Sequence, residues 1–541
     1  MDLIQLYQKE VTEKDVTPFV MVISSAIAQG CLLSVMINAA AAISSENSDF
    51  RYLLMYLFLF VIFIYGKDYG LKKTAEIVSS IMETLRLRIS DKIRKSELLV
   101  IEKMGNERIY TQLTHDTSQI SESAIWIMNS FQSFIMVSIC AIYILFVNQM
   151  AFMITIISFG FVLCLYFMFF RKSYDEDLEK TLQKEISAME MLNQILLGFK
   201  ELKLNQDMSN DHFSHYKSVL EETRQLKTNT GYKFVTNIMF SQIFYYSFFA
   251  IILFILPAIS NANADVVMKV IATAMFIMSP FNMLVGSIPL YVKASKAIDN
   301  IYNLENELDI AMKSWPAPQD FALRKIDQFE SIDLSDLHFS HRDRNNTAVF
   351  TLGPINLHLE KGELIFITGG NGSGKTTLMK LLCGLYYPDS GMIRLDQSLL
   401  EAATYPLYRD LFSVIMSDFY LFDRLYGIDE PDEMLVKTLL QKMQLDKKTI
   451  LVNNQFTNIR LSTGQRKRLA MLIAILQDKP IYIFDEWAAD QDTEFRIYYY
   501  EHLLKELKNK GKTIIAVSHD DRYYHVADRV IKMDYGQFIE T

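Results

Sequence analysis

The chain has 541 residues, half of them hydrophobic and 22% charged, and a formal net charge of -9. That length is more than one ordinary domain needs, and the acidic balance argues against a general nucleic-acid binder, which presents a basic face. Four cysteines without paired spacing (Cys31, Cys140, Cys164 and Cys383) argue against a disulfide framework or a cysteine-based metal site.

Residues 1–17 set Asp2, Glu10, Glu13 and Asp15 against only Lys9 and Lys14, so the positive stretch that opens a cleavable signal peptide is missing. Leu3, Ile4, Leu6, Tyr7 and Val11 alternate with these charges and predict a short helix lying at a membrane surface.

A span needs roughly 20 mostly apolar residues to cross about 30 Å of hydrocarbon. Six stretches fit: 18–43, 50–68, 124–147, 150–170, 234–257 and 266–290, the second borrowing flanking residues. The long connections 67–122 and 171–231 hold most of the basic residues, including Lys72, Lys73, Arg86, Arg88, Arg94, Lys95, Arg171 and Lys172. The short connections near Glu46, Asn148 and Asn261 hold almost none apart from Arg51. The positive-inside bias puts the N-terminus, both long connections and the C-terminal half in the cytoplasm.

Both long connections read as helices, with no proline and with apolar residues at helical spacing such as Ile77, Ile81, Leu85 and Ile89. Folded as two helices of about 28 residues, 67–122 would reach roughly 40 Å. Polar residues inside the spans (Gln29, Asn38, Asn129, Gln132, Asn237, Gln242 and Asn282) are candidates for a solute pathway or for helix–helix hydrogen bonds. Met and aromatic side chains crowd the later spans (Met168, Tyr245, Tyr246, Met275, Phe276, Met278, Phe281), and Pro280 and Pro289 are expected to bend the last one.

Residues 291–314 continue as a helix until Trp315-Pro316-Ala317-Pro318 breaks it. The expected organisation is a helical membrane domain over 1–314, a linker over 315–328 and an α/β domain over 329–541. Strands are predicted at Ile332–Phe339, Ile355–Leu359 and Leu364–Thr368.

The last of these strands runs into Gly369-Gly-Asn-Gly-Ser-Gly-Lys-Thr376, the phosphate-loop pattern G-x-x-x-x-G-K-[ST]. Glycines let backbone N–H groups wrap phosphates, and the following helix adds its positive end. Gly369, Asn371, Gly372, Ser373, Gly374, Lys375, Thr376 and Thr377 are therefore the expected phosphate cradle. Lys375 would neutralise the β- and γ-phosphates, and the Thr376 hydroxyl would face Mg²⁺.

Ile481-Tyr-Ile-Phe-Asp485-Glu486 is an apolar strand ending in two carboxylates, which strand geometry sends to opposite faces and so to different tasks. Another apolar strand, Thr513–Val517, precedes Ser518-His519-Asp520, and Leu461-Ser-Thr-Gly-Gln465 precedes a predicted helix over Gln465–Leu476.

These strings together resemble the ATP-binding cassette (ABC) proteins. The resemblance gives Asp485 to Mg²⁺, Glu486 to the water that attacks the γ-phosphate, and His519 to the γ-phosphate itself. Ser462, Thr463, Gly464 and Gln465 resemble the signature that completes the ATP site of a second subunit. Asp492 takes the place of the D-loop aspartate, and His341 that of the aromatic stacked on adenine. Ser417 aligns with the glutamine that couples ATP to the membrane domain, and it counts with Thr376 and Asp485 among the groups around Mg²⁺.

Six spans with two long cytoplasmic connections resemble the ABC exporters, in which such connections act as levers docked on the ATPase. Ser462–Arg468, Asp485–Asp492 and the short stretch from Ser417 to Leu461 resemble the bacterial cyclic-peptide and siderophore exporter subfamily. That resemblance implies a homodimer in the bacterial cytoplasmic membrane, in contact with lipid. It would use ATP and Mg²⁺ to export a peptide-like solute such as a microcin, a lipopeptide or a siderophore precursor. Import of a metal–siderophore, lipid flipping, and force transmission to a partner stand as rivals. No leader-peptidase domain precedes the first span, so leader processing is not expected. His212 and His215 have no third ligand nearby in sequence, and Thr114-His115-Asp116 is assigned to a coupling helix.

Overall fold

The computed structural model describes residues 3–11, 15–44, 50–169, 171–260, 263–313, 329–343, 347–428 and 430–539, apart from the side chains of 3, 4, 41, 43, 44, 162–176, 178, 179, 182, 234, 237, 241 and 313. The expected linker 315–328 and the outer turns at Glu46 and Asn261 lie outside the described residues, as do the side chains of Asn237, Met168 and Cys164. The chain divides into two compact units, Met1–Asp91 with Asn106–Asn306 and Lys92–Gly105 with Glu307–Thr541.

The first unit is helical. Its elements are α1 (Leu3–Glu10), α2 (Thr17–Ser44) and α3 (Arg51–Lys95); α4 (Leu98–Met104) belongs to the second unit; then come α5 (Asn106–Thr111), α6 (Thr117–Val147), α7 (Gln149–Phe169), α8 (Arg171–Leu197), α9 (Phe199–Leu204), α10 (Gln206–Ala250), α11 (Leu256–Ser260) and α12 (Ala264–Lys313). Among the described residues, Thr17–Ala40, Arg51–Lys95, Asn106–Val147, Gln206–Ser260 and Ala264–Met312 are long and apolar enough to cross a membrane. Gln149–Phe161 is a shorter apolar helix. The fourth expected span, 150–170, falls on α7, whose side chains are described only as far as Phe161.

At 45 residues, α3 is roughly 65 Å long, about twice the hydrocarbon thickness, so its charged C-terminal half extends well beyond an apolar layer. Close packing of α3 on α2 depends on Gly66 and Gly70, a small-xxx-small pair. A Cβ at Gly66 would lie 2.9 Å from the Met21 carbonyl oxygen, and one at Gly70 would lie 2.5 Å from Val22 Cγ2. In the same contact Ser25 Oγ donates to the Phe63 carbonyl (2.9 Å) and accepts from Gln132 Nε2 (3.3 Å). Gln132 is thereby a buried helix–helix contact, one of the two roles open to it from sequence. Asn129 donates to the Ile125 carbonyl of its own helix (3.0 Å). Pro280 and Pro289 both lie inside α12.

A charged knot closes the charged ends of these helices. Arg88 of α3 binds Glu10 of α1 through Nη1 (2.7 Å) and Nη2 (2.9 Å), and Glu305 of α12 through Nε (2.7 Å). Tyr302 of α12 donates to Glu10 as well (2.6 Å). The Glu10 side chain is only 3% exposed, so its charge is tolerable only because it is paired.

The connection 67–122 is not a simple two-helix hairpin. The helix breaks at Glu97, which is extended, and again at Gly105, where φ is +80°, leaving α4 as a separate short segment. Leu98 and Leu99 of that segment pack on the apolar core of the second unit, which explains its membership there. Thr114–Asp116, the expected coupling segment, instead belongs to the first unit, where buried Asp116 accepts from Asn300 (3.0 Å).

The second unit carries β1 (Ser331–Arg342), β2 (Ala348–Glu360), β3 (Leu364–Gly369), α13 (Lys375–Leu382), β4 (Ser390–Leu395), β5 (Ser398–Leu399), α14 (Tyr405–Arg409), β6 (Phe412–Ile415), α15 (Glu433–Lys442), β7 (Leu451–Val452), β8 (Gln455–Phe456), α16 (Thr463–Gln477), β9 (Ile481–Phe484), β10 (Thr513–Val517), β11 (Arg529–Asp534) and β12 (Gln537–Ile539). An antiparallel sheet in the order β2-β1-β4-β5 faces a six-stranded sheet in the order β12-β11-β3-β10-β9-β6. Alternation along the central strands divides two cores. Ile365, Ile483 and Ile515 face the antiparallel sheet, whereas Phe366, Phe484 and Ala516 face α15 and α16. Strands buried on both faces read as continuous apolar runs, which is why β3, β9 and β10 stood out in the sequence.

Candidate functional site

Strands β11, β3, β10, β9 and β6 pair in parallel, so their carboxyl ends share one edge of the sheet. Ligands of open parallel sheets bind outside that edge. Every predicted catalytic segment leaves from it: the phosphate loop after β3, Asp485-Glu486 after β9, Ser518-His519 after β10, and Ser417 two residues past β6.

The phosphate loop is built on close approach. Gly369 has φ of +148°, and a Cβ there would lie 2.2 Å from the Met533 carbonyl oxygen. Lys375 begins α13, with its Nζ donating to the carbonyls of Gly369 (3.1 Å) and Gly370 (2.9 Å) across the loop. The hydroxyl of Thr376 donates to Asp485 Oδ2 (2.9 Å). Asp485 is 1% exposed, and its Oδ1 has no hydrogen-bond partner. A buried carboxylate oxygen left unsatisfied beside a hydroxyl is an all-oxygen donor set of the kind a hard divalent cation takes. Ser373 Oγ is likewise buried and unpartnered, as fits a residue that meets a phosphate. The residues present thus fit ATP with Mg²⁺.

Asp485 and Glu486 both lie beyond Phe484, the last residue of β9, so strand alternation does not set the direction of Glu486. Glu486 adopts a left-handed backbone (φ +51°), and its Oε1 lies 3.0 Å from His519 Nε2. Both side chains are partly exposed at the sheet edge (36% and 45%). His341 sits at the end of β1, with Nε2 3.2 Å from Thr377 Oγ1 and its ring edge-on to Phe339 and Tyr386. Burial first, then the nearby Lys380 ammonium, holds its pKa below the ordinary 6.5 against the opposing pull of Glu102, so the imidazole is neutral at pH 7. Ser417 lies exposed in the turn after β6.

Ser462 caps α16: its Oγ accepts from the Gln465 amide (3.4 Å), and Gln465 Oε1 accepts from the Ser462 amide (3.3 Å). The signature serine and glutamine therefore set the start of this helix. Gly464 lies against the segment after Glu486, where a Cβ would fall 2.6 Å from the Asp490 carbonyl oxygen. Gln491 Nε2 donates to the Gly464 carbonyl (3.1 Å), and Arg468 donates to Gln491 (2.8 Å), to Gln444 (3.0 Å) and to Asp492. Asp492 also accepts from the Phe495 amide (2.8 Å), and this bond, with Arg468, holds its carboxyl below the usual range.

The sequence gives Lys467 and Arg468 no role of their own within the Ser462–Arg468 string, yet their buried, paired side chains tie α16 to 486–492. Nor does it give one to Glu102 of α4, which accepts from Lys380 (3.0 Å) and Tyr386 (2.6 Å) beside His341. For Lys467 and Arg468 the local signal is a run of basic residues after the signature, which reads equally as a solvated face.

A model of the ABC transporter family matches residues 352–489. The chain is 32% identical over 470 residues to the ATP-binding protein SyrD of Pseudomonas syringae pv. syringae, covering 84% of this chain and 82% of that protein. It is 31% identical over 229 residues to an ATP-dependent lipid A-core flippase of Ralstonia nicotianae, covering 38% of this chain and 37% of that protein. Among solved structures, a bacterial Atm1-family ABC exporter with ATP bound superimposes with a TM-score of 0.77 at 14% identity, covering 97% of this chain and 94% of that one.

Proposed function

The chain belongs to the ABC transporter family, with an exporter fold whose ATPase domain couples ATP hydrolysis to membrane transport, and on that premise we propose that it exports a peptide-like small molecule across the bacterial cytoplasmic membrane. The cargo class is a cyclic peptide, a microcin, a lipopeptide or a siderophore precursor. The observation that carries this reading is the reach of the similarity: SyrD matches over 82% of its own length, membrane half included, and the lipid A-core flippase over 37%. The Ser462–Arg468 and Asp485–Asp492 strings support the same subfamily. Lipid flipping is the second reading, favoured by that partial match to a flippase.

In this reading six spans precede an ATPase domain over 329–541, and two chains form a homodimer with two ATP sites. The phosphate-loop amides and Lys375 hold the phosphates, and Thr376 and Asp485 hold Mg²⁺, which when bound screens phosphate charge. Glu486 accepts hydrogen bonding from the attacking water, and His519 orients Glu486 and the γ-phosphate. Ser417 reports nucleotide state to the membrane helices, and His341 packs on the base.

The test is the ATPase rate of reconstituted protein titrated with cyclic lipopeptides and, separately, with lipid A. Stimulation by the peptides alone supports the reading. Stimulation by lipid A alone replaces it with lipid flipping.

A further inference from the structure

Lys467 lies in the second turn of α16 with its side chain only 5% exposed. Its Nζ donates to the backbone carbonyl of Glu486 (2.7 Å) and ion-pairs with Asp490 Oδ2 (2.7 Å). A second bond runs the opposite way between the same segments: the Trp487 indole N–H donates to the Lys467 carbonyl (2.9 Å). Trp487 is itself 1% exposed and stacks on Tyr499 at 4.6 Å. The two contacts form a reciprocal clamp around the one residue whose carboxylate faces His519.

Glu486 needs such a clamp. A residue with a side chain pays of order 1 kcal/mol or more to hold a left-handed backbone, and it stays there only when its surroundings impose it. The Glu486 carbonyl is fixed by the ammonium, the next residue by its indole, and Asp490, four residues on, by the ion pair. A buried ammonium is costly unless its partners are in place, so the lysine selects the one backbone path that satisfies it.

We infer that Lys467 is a positioning residue for ATP hydrolysis, holding the Glu486 backbone in the conformation that keeps its carboxylate at His519. The inference rests on the proposed role of Glu486 and adds a residue outside the phosphate-loop, carboxylate and histidine set. Lys467 touches neither phosphate nor water in this account. Its loss therefore lowers turnover without lowering nucleotide affinity.

The experiment compares Lys467→Met, Lys467→Arg, Trp487→Phe and Glu486→Gln in the full-length reconstituted protein. It reads kcat and, in parallel, the Kd of a fluorescent ATP analogue. Loss of a charge-assisted hydrogen bond predicts a fall in kcat of about tenfold or more for Lys467→Met. The expected pattern is unchanged nucleotide Kd, substantial recovery in Lys467→Arg, and a smaller kcat loss at constant Kd in Trp487→Phe. Wild-type kcat in Lys467→Met overturns the inference, as does a parallel loss of kcat and nucleotide binding in all three clamp variants. If Lys467→Met alone fails to bind nucleotide, Lys467→Arg and Trp487→Phe decide by the same split. A fully active Glu486→Gln sinks the role of Glu486, whereas an inactive Glu486→Gln beside an active Lys467→Met sinks only the clamp.

Discussion

His519 Nε2 stands 3.0 Å from Glu486 Oε1, joining the ends of two adjacent parallel strands. The contact places a hydrogen-bonding imidazole beside the carboxylate assigned to the attacking water, and both lie at the sheet edge that carries the phosphate loop. A carboxylate held by a neighbouring hydrogen-bonding group is suited to general-base chemistry.

Glu486→Gln keeps the shape and removes the proposed base. ATP binding should persist while turnover falls by roughly 10²-fold or more. His519→Ala should fall by less, because it removes only the orienting partner. Phosphate-release assays beside equilibrium nucleotide binding check both; near-normal turnover in Glu486→Gln removes that residue from its assigned role.

His341 should act on the base as a neutral aromatic. His341→Phe keeps the ring and should hold the ATP Kd near wild type. His341→Ala forfeits a contact of about 1 kcal/mol, so its Kd should rise roughly fivefold. Titration with a fluorescent ATP analogue measures both, and an unchanged Kd in His341→Ala would place the base elsewhere.

Ser417→Ala addresses coupling. If the hydroxyl links nucleotide to the membrane helices, stimulation of the ATPase by transported solute should weaken more than the basal rate. Equal losses in the two rates would assign Ser417 to the chemistry alone.

The Arg88 knot predicts acid sensitivity in the membrane unit. Burial pushes the Glu10 carboxyl up, but its hydrogen bonds from Arg88 and Tyr302 prevail and hold it below its ordinary 4.5. A depressed carboxyl contributes stability that is complete above 4.5 and is lost as pH falls through the native value. Arg88→Met strands two buried carboxylates, so it should cost about 3 kcal/mol near neutrality. It should also flatten the loss of Tm on acidification below pH 4.5. Thermal unfolding of purified protein across pH checks both; an unchanged Tm and slope would deny the knot its role.

What the sequence made legible follows from local chemistry. The phosphate loop, Asp485-Glu486 and His519 each follow an apolar run bounded by glycine or charge, and parallel pairing then brings them to one edge. Strand β10 coincides with the predicted run, β9 stops at Phe484 and leaves both carboxylates outside the strand, and α16 begins at Thr463, two residues before the prediction, because Ser462 caps it. What escaped depends on partners distant in sequence. Nothing local distinguishes Lys467 from a solvated lysine until residues 486–490 fold over it. Nothing local in Leu98–Met104 shows which core its leucines join. The Gly66–Gly70 pair was readable as a small-xxx-small pattern, although its charged neighbours Lys67 and Asp68 mask it.

The most direct measurement is ATP-dependent accumulation of labelled cyclic peptides and siderophores in inside-out membrane vesicles, with Glu486→Gln as the control. Accumulation by the wild type that disappears in Glu486→Gln is the predicted result. Vesicles that hydrolyse ATP at full rate yet accumulate no peptide or siderophore, while translocating labelled lipid, would contradict peptide export.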